Sequence, residues 1–241
     1  MTTISGIPVP SKDIVLWNAN GISNRSKQSI LSEFINRSSP LATIITETHI
    51  AVDGSSRVTD PMHYHEFNAN FTSKSSGVAV IVNRAFNARR IDSLAITTKI
   101  KSSAIILLPI EVSNPAVAKG HPAAYPFVIA GAYIKPSASE SEQRIMINAI
   151  NKLVNHCEKA KRKLILLGDF NTHTTALGST QEVAQRQTHS NDSLAGFLAR
   201  PPFHCANAAF ANGIATHKSG STLDLILSND QHAITGLSVV K

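Results

Sequence analysis

The sequence is poor in cysteine and has no long apolar run. Its 241 residues include only two cysteines, Cys157 and Cys205, too few for a disulfide framework or a cysteine-built zinc site. This scarcity predicts a reducing intracellular compartment, nuclear or cytoplasmic. No window has the uninterrupted apolar length that a membrane span needs, and the first residues, MTTISGIPVPSKD, contain no apolar core of signal-peptide length. We therefore expect no membrane partner.

Charged residues are also scarce, at 16% of the chain, but the basic ones dominate. The sequence has 23 Lys and Arg against 16 Asp and Glu, a formal net charge of +7. Such an excess favours a polyanionic partner, with nucleic acid ahead of an acidic membrane surface. Hydrophobic residues make up 42% of the chain, which excludes a disordered protein and is enough for a sizeable core.

Short apolar runs alternate with helical patterns along the chain. Strands are predicted at the runs IVLW, LATIIT, GVAVIV, LAITTKI, SAIILLPIEV, FVIAGAYI, LILLGDF and STLDLIL, with a tight turn at Lys101 and Ser102 joining the fourth and fifth. A first helix is predicted around SILSEFI. The long helix SESEQRIMINAINKLVNHCEK begins with Ser139 and Glu142 at capping-box spacing. A shorter helix, NDSLAGFLAR, has Asn191 or Asp192 as its N-cap.

The order of these elements predicts the fold class, α/β (α+β). Strands outnumber helices, and hairpins are mixed with strand–helix–strand units, which favours two packed sheets with helices outside over a doubly wound parallel sheet. In that architecture the polar residues at strand exits gather at one edge and need water or a partner to satisfy them. These residues are Asn18, Asn20, Glu47, Tyr133, Asp169, Asn171 and Asp224.

The stretch KLILLGDFNTHTTALGST carries the most chemistry. Asp169 and Asn171 follow a buried strand two residues apart, so in extended geometry they point to the same side. A carboxylate can deprotonate water, and a neutral amide can donate to a phosphate oxygen. Glu47, a second strand-end acid, suits a hard cation such as Mg²⁺, which prefers oxygen ligands. Metal-assisted hydrolysis of a phosphate ester needs such a set, although Asp and Asn after a strand also commonly build a turn.

An ordered set of motifs, VLWNANG, ITETH, AYIKP, LLGDFNTH and STLDLIL, resembles the endonuclease–exonuclease–phosphatase superfamily. More narrowly, it is similar to the apurinic-like endonuclease domain of non-LTR retrotransposons. The narrower resemblance rests on GDFNTHTTALGS, with Leu177 in the usual Trp position, on THKSGSTLDLIL, and on Asn20 where cellular apurinic endonucleases usually have Asp. It covers roughly Asp13 to Asn229. It implies a flexible lead, 1–12, and a single domain, 13–241, built as a four-layer sandwich of two mixed sheets packed face to face.

The resemblance also implies a role for each strand-exit residue. Glu47 would be the main Mg²⁺ ligand, with Mn²⁺ as a possible replacement, and Asn20 would lie near the metal. Asp169 would activate the attacking water, with Asn18 in its hydrogen-bond network. Further roles implied are phosphate contact by Tyr133 and Asn171, pairing of Asp224 with a histidine, and substrate binding by His173, Ser221 and Thr222.

The implied activity is a Mg²⁺-dependent DNA endonuclease. It would nick one strand of double-stranded DNA, leave a 3′-hydroxyl, and be fused to a reverse transcriptase in a retrotransposon polyprotein. Three alternatives stay open. A cellular apurinic endonuclease usually has an aromatic residue just before the Asp224 strand, where this chain reads GSTLD. A lipid or nucleotide phosphoesterase fits the positive charge less well. The third alternative is an inactive fragment that only binds DNA.

The chain departs from the family pattern at its end and in its histidines. The closing Ser-Asp-His motif of the family is expected well beyond Asp224, so we expect a C-terminal truncation that removes the last core strand. SNDQH follows Asp224 too closely to return on a neighbouring strand, so His232 is predicted to be a loop residue. Thr46 stands where the family often has Gln. His63 and His65 are predicted to lie in a loop and not to bind zinc, since no third ligand is evident.

Overall fold

The computed structural model describes residues 11–22, 24–51, 54–70, 76–100, 103–116, 126–136, 138–186, 191–217 and 222–239. Their strands are β1 (Ile14–Asn18), β2 (Ala42–Thr46), β3 (Tyr64–Ala69), β4 (Val78–Asn83), β5 (Asn87–Arg90), β6 (Ile96–Ile100), β7 (Ser103–Ser113), β8 (Phe127–Ile134), β9 (Leu164–Asp169), β10 (His204–Cys205) and β11 (Asp224–Ser228). Their helices are α1 (Arg25–Ser38), α2 (Glu140–Lys159), α3 (Gln181–Arg186), α4 (Asp192–Leu198) and α5 (Ala206–Phe210), with a 3-10 turn at Thr175–Leu177.

The strands form two mixed sheets, as predicted from the sequence. The smaller sheet has the order β1-β2-β4-β3, with β1 and β2 parallel and the other pairs antiparallel. The larger sheet has the order β10-β11-β9-β8-β7-β5, with β6 also paired to β7. Its β8 and β9 are parallel, and its other pairs are antiparallel. The predicted β6–β7 hairpin is confirmed, while its turn at Lys101 and Ser102 lies outside the described residues.

Three apolar clusters separate four layers. The first lies between α1 and the smaller sheet and contains Leu31, Ile35 and Ile81. The second fills the space between the sheets, with side chains such as Ile44, Val80, Ile129 and Leu167. The third lies between the larger sheet and α2 with α4, and contains Leu153, Leu166 and Leu194. The helices therefore cover the outer faces, which confirms the α/β sandwich.

The long helix α2 is defined by local sequence at its N-terminus and by packing along one face. The capping box is present: Ser139 accepts from the Glu142 amide, and the Glu142 carboxylate accepts from the Ser139 amide at 2.6 Å. Met146, Ile150, Leu153, Val154 and Cys157 are buried at helical spacing against the sheet. No helix among the described residues combines the length and apolar character needed to cross a membrane.

Three edge strands, β3, β5 and the two-residue β10, were not predicted from the sequence. β3 contains His65, which pairs with Val82 and stacks on Phe67, so the predicted loop placement of His65 is wrong. β5 reads NARR and alternates between exposed and half-buried positions. Edge strands carry polar side chains on their solvent side, so they lack the apolar runs that reveal central strands. His63 lies in a turn before β3, as expected.

Strand direction explains why the polar exits meet at one edge. β1 and β2 are parallel, and so are β8 and β9, so within each pair the carboxyl ends lie side by side. β11 runs antiparallel to β9, and its first residue, Asp224, is opposite the last residue of β9, Asp169. One edge of the sandwich therefore collects four strand exits and one strand start.

Candidate active site

Asp169 lies at the centre of this edge. In the larger sheet its register partners are Tyr133 on β8 and Asp224 on β11. Side chains at paired positions point to the same face of a sheet, so these three groups project together. Asp169 is only 2% exposed. Its carboxylate therefore sits within the protein, where hydrogen-bond partners fix its position.

The smaller sheet contributes Asn18 and Glu47 to the same place. The Asn18 Nδ2 donates to Asp169 Oδ2 at 3.0 Å, a direct link between the two sheets. The Asn18 Oδ1 accepts from the Asn20 amide at 3.2 Å, which fixes the turn that follows β1. Glu47 directly follows β2, and its carbonyl accepts from the Gly21 amide at 2.7 Å. The side chain of Asn20 is exposed beside this turn.

The turn after β9 is built by Asn171. Its backbone is left-handed, with φ of 48°, a region that asparagine tolerates better than most residues. The Asn171 amide donates to Asp169 Oδ1 at 3.1 Å, and its Nδ2 donates to the Ile134 carbonyl at the exit of β8 at 2.9 Å. Asn171 thus joins the ends of β8 and β9. Each carboxylate oxygen of Asp169 accepts one of these hydrogen bonds, Oδ1 from the Asn171 amide and Oδ2 from Asn18.

Burial and neighbouring charges raise the pKa of Asp169, Asp224 and Tyr133. Burial is the largest cause for Asp169, and the charges of Asp224 and Glu47 add to it, so its pKa lies well above the usual value. Burial raises the pKa of Asp224 to about 6; a hydrogen bond from Thr216 opposes the shift and Glu47 adds to it. Burial and then the charges of Glu47 and Asp169 raise the pKa of Tyr133, whose hydroxyl also hydrogen-bonds Glu47. This edge therefore brings three carboxyl groups close enough to interact electrostatically.

The residues present fit a hard cation. Asp224 Oδ1 is buried and has no hydrogen-bond partner among the described residues, although buried oxygens are normally satisfied. Within those same ranges, no three His, Cys, Asp or Glu side chains converge as a ready-made cage. Mg²⁺ does not need such a cage, because it usually takes one or two carboxylates and completes its shell with waters and substrate oxygens. Glu47, with Asn20 beside it, offers oxygen ligands of this kind.

The predicted substrate-binding residues fall into different surroundings. His173 is half-buried and lies two residues after Asn171. Burial lowers the pKa of His173, the charge of Asp192 opposes this shift, and the charge of His217 lowers the pKa further. Thr222 is 1% exposed, and its hydroxyl lies 3.3 Å from the Gly178 carbonyl and 3.2 Å from that of Ile214. The Thr222 hydroxyl therefore links the loop at Gly178 to the loop at Ile214. Ser221 lies outside the described residues.

His232 lies far from the acidic edge. Ser228, the last residue of β11, pairs with Ile165 near the start of β9, whereas Asp224 pairs with Asp169 at its end. His232 follows in an exposed turn, where its amide donates to Asp230 Oδ1 at 2.8 Å. It is a polar loop residue, as predicted.

Thr216 is a site residue that the sequence reasoning missed. Its hydroxyl oxygen accepts from the amides of Leu223 at 3.0 Å and Asp224 at 3.1 Å, and the hydroxyl also hydrogen-bonds the Asp224 carboxylate. It fixes both the backbone and the side chain of Asp224. A single threonine in a loop carries no periodic signal, so only the folded chain reveals this contact.

The fold is one that the chain shares with solved structures of the endonuclease–exonuclease–phosphatase class, and the resemblance recognised from the sequence is confirmed by this likeness and by a family match. More particularly, a family model described as "Endonuclease-reverse transcriptase" matches residues 127–240, from the start of β8 onward. No curated protein matches the sequence.

Three solved structures share the fold over most of this chain. AP endonuclease LMAP from Leishmania major is 13% identical, with a TM-score of 0.66 over 91% of this chain and 79% of that one. The catalytic domain of Xenopus laevis APE2 is 16% identical, with a TM-score of 0.59 over 91% and 83%. The 3′ phosphatase NExo from Neisseria, solved with a product DNA hairpin, is 15% identical, with a TM-score of 0.57 over 91% and 87%. At these identities the likeness concerns the fold alone, a hydrolase fold of nucleases and phosphoesterases.

The raised pKa of Asp224 gives a testable pH dependence of stability. A carboxyl group with a raised pKa in the folded state contributes stability below its unfolded pKa, near 4, which is lost as the pH rises through about 6. In EDTA, Asp224→Asn is therefore expected to stabilise the protein at pH 7.5 by up to about 3 kcal/mol, and to have little effect at pH 4.5. Urea unfolding at the two pH values checks this. An equal effect of the substitution at both would contradict it.

Proposed function

We propose that this chain is a divalent-metal-dependent DNA endonuclease that hydrolyses one phosphodiester bond of a duplex and leaves a 3′-hydroxyl. One observation carries the proposal. The buried Asp169 receives a hydrogen bond from the opposite sheet through Asn18, and shares its edge of the sandwich with Tyr133, Asp224 and Glu47. A carboxylate held by two donors beside an acidic, incompletely satisfied pocket is suited to taking a proton from water next to a phosphate.

In the proposed reaction, Asp169 accepts a proton from a water molecule as the water oxygen bonds to phosphorus. The bond from phosphorus to the 3′ oxygen breaks, and that oxygen takes a proton from solvent and leaves as the 3′-hydroxyl. The phosphate stays on the 5′ carbon of the next nucleotide, and Asp169 returns its proton to solvent. Asn18 and the Asn171 amide keep the Asp169 carboxylate oriented, and the Tyr133 hydroxyl lies beside Glu47. When bound at Glu47 and Asn20, Mg²⁺ or Mn²⁺ would neutralise phosphate charge.

Double-stranded DNA is the proposed substrate. The net charge of +7 favours a polyanion such as the DNA backbone, and one basic side chain, Lys27, lies next to the candidate site, where its Nζ donates to the Asn20 carbonyl at 2.9 Å. The description of the matching family model supports fusion to a reverse transcriptase in the full-length product. A nick with a 3′-hydroxyl is the end that such a polymerase can extend.

Phosphate-monoester hydrolysis is the second candidate function. It is supported by the fold shared with the Neisseria 3′ phosphatase and with a mannosyl-6-phosphatase from Bacteroides thetaiotaomicron, which is 13% identical with a TM-score of 0.58 over 89% of this chain and 84% of that one. The acidic edge suits either ester, because both reactions need an activated water next to phosphorus.

Nicking of supercoiled plasmid tests the proposal. We expect open-circular product with Mg²⁺, none with EDTA, and 3′ ends that a DNA polymerase extends without prior phosphatase treatment. Release of phosphate from a 3′-phosphorylated oligonucleotide without nicking would favour the second candidate. Salt-sensitive DNA binding without either reaction would identify an inactive DNA-binding protein and overturn both.

A further inference from the structure

A second buried asparagine, Asn191, lies directly behind the active-site edge. Its side chain is 0% exposed, so neither water nor substrate can reach it. It precedes α4 in the N-cap position, where an asparagine normally accepts from an amide of the first helical turn. Here it makes no capping bond. Its side chain is therefore free for other partners.

Those partners are the backbone groups that follow β8 and β9. Asn191 Nδ2 donates to the Phe170 carbonyl at 2.9 Å and to the Lys135 carbonyl at 3.3 Å. Its Oδ1 accepts from the Ala138 amide at 3.0 Å, just before α2. Phe170 separates Asp169 from Asn171, and Lys135 follows Ile134, the residue whose carbonyl Asn171 binds. A single amide thus joins the loop between β8 and α2 to the residue that follows β9.

Gln143 on α2 takes over the capping of α4. Its Oε1 accepts from the Leu194 amide at 3.1 Å, and its Nε2 donates to the Ala138 carbonyl at 2.9 Å. Leu194 is the third residue of α4, the position that an N-cap side chain ordinarily satisfies. The peptide at Ala138 is therefore held on both sides, by Asn191 at its amide and by Gln143 at its carbonyl.

The backbone of Phe170 is held in the same way, at both its amide and its carbonyl. Its amide donates to the Leu223 carbonyl at 3.1 Å, and its carbonyl accepts from Asn191. Phe170 connects Asp169 to Asn171, whose backbone is left-handed, so the orientation of the Phe170 backbone sets where the Asp169 and Asn171 side chains point. Without the two donors of Asn191, the buried Phe170 carbonyl would lose a partner that buried polar groups normally have, and the half-buried Lys135 carbonyl would lose its bond to Asn191.

We propose that Asn191 is a positioning residue for the reaction, acting through the Phe170 and Lys135 carbonyls to fix the spacing between Tyr133 on β8 and the Asp169–Asn171 turn on β9. The inference rests on the proposed function for its catalytic readout, but the geometry it asserts can be tested separately. It requires no contact between Asn191 and DNA.

The test compares two asparagine-to-aspartate substitutions whose side chains bind near opposite ends of β9. Asn191→Asp keeps the acceptor for Ala138 and removes the donors to Phe170, after β9, and to Lys135, after β8. Asn229→Asp is the matched control at the start of β9, where Asn229 accepts from the Leu164 amide at 2.7 Å and donates to the Arg162 carbonyl at 3.4 Å. Each substitution removes side-chain donors that bind near one end of β9, and each adds one negative charge. Only Asn191 lies at the end of β9 that carries the active-site edge.

We expect N191D to lower the kcat for plasmid nicking by about 10- to 100-fold with KM changed by less than about threefold, because misplacement of catalytic groups by about 1 Å costs this much. N229D should leave kcat within about twofold of the unsubstituted protein, since it loosens the distant end of β9. A substrate-binding residue would change mainly KM, and general loosening of β9 would lower kcat equally in both. Either of those results overturns the inference.

Fluorine NMR supplies a readout that does not need activity. The chain has three tyrosines, so protein labelled with 3-fluorotyrosine gives few resonances, and Tyr133→Phe identifies that of Tyr133. N191D should shift the Tyr133 resonance and N229D should not; an unmoved Tyr133 resonance in N191D overturns the inference whatever the rate. If the unsubstituted protein cleaves no DNA, the proposed function fails while this comparison still decides the geometry. Should N191D not fold, Asn191→Ser, which loses one donor, takes its place.

Discussion

Replacing Asp169 by asparagine is expected to lower the rate of DNA nicking by about 10²–10⁴-fold, the range that a positioned general base contributes. The substitution preserves the shape of the side chain and the acceptor for the Asn171 amide, but it removes the basic oxygen that would take the proton from water. It also places an amide opposite Asn18 Nδ2, whose 3.0 Å hydrogen bond to the carboxylate is then lost. Orientation and proton acceptance fail together.

DNA binding should respond in the opposite direction to catalysis. Asp169 lies in an acidic cluster with Asp224 and Glu47, and each of these charges repels a phosphate. Removing one of them should leave the Kd for duplex DNA unchanged or lower. Single-turnover nicking and fluorescence anisotropy of a labelled duplex, measured at the same salt concentration, separate the two effects.

The matched control is Asp230→Asn. Asp230 pairs with Lys163 at 2.7 Å, at the other end of the strands that carry Asp169 and Asp224, and the same change of charge is made there. Lys163 lowers the pKa of Asp230, whereas the pKa of Asp169 is raised, so the same substitution is made in two different environments. The nicking rate of Asp230→Asn should stay within about twofold of that of the unsubstituted protein, because a partly exposed ion pair contributes little. Equal loss in both variants would refute a specific role for Asp169.

Much of the fold was predictable because its central elements carry strong local signals. The capping box and the spacing of apolar residues define α2, and the buried strands β2, β4, β8 and β9 are continuous apolar runs bounded by polar residues. The edge strand β5 could not be predicted in this way. It is held through pairing with β7 and an ion pair between Arg89 and Glu111, which depends on a residue 22 positions away.

That the polar strand exits gather at one edge was predictable from the sequence, but their contacts at that edge were not. Polar residues at strand exits identified Asn18, Glu47, Tyr133, Asp169, Asn171 and Asp224, since a buried run that ends in a polar group needs a partner. The link from Asn18 to Asp169 spans 151 positions and crosses between sheets, so it depends on how the sheets pack. Nothing in a sequence pattern encodes that distance.

The supporting residues show why the remainder of the site was not predictable. Asn191 was correctly placed at the start of α4, but its side chain binds carbonyls of two other segments, and Gln143 caps the helix in its place. Thr216 holds Asp224 through backbone amides. Such residues act on peptide groups, which are the same at every position, so residue type alone does not indicate the partner.

Replacing Gly168 by alanine is expected to destabilise the protein by about 3 kcal/mol, the upper part of the usual range for overpacking a core. Gly168 lies one residue before Asp169 in the fully buried β9 and pairs with Ala132 of β8. A Cβ built there would collide with the Ala132 carbonyl oxygen and lie 2.7 Å from its carbonyl carbon. These are backbone atoms of a central strand, so relief requires β8 and β9 to separate where Tyr133 faces Asp169.

Gly196→Ala is the matched control, and its expected effect has the opposite sign. Gly196 is an exposed position within α4 that has no neighbouring atom within 4 Å of an added Cβ, so alanine should stabilise the helix by about 0.5–1 kcal/mol. Urea unfolding at constant m-value measures both changes. If the free energy of unfolding of Gly168→Ala fell by less than about 1 kcal/mol and the variant still cleaved DNA at the normal rate, the close approach of β8 and β9 would not be what positions Tyr133 against Asp169. Loss of both stability and nicking in Gly168→Ala alone would tie the spacing of these two strands to the chemistry at their ends.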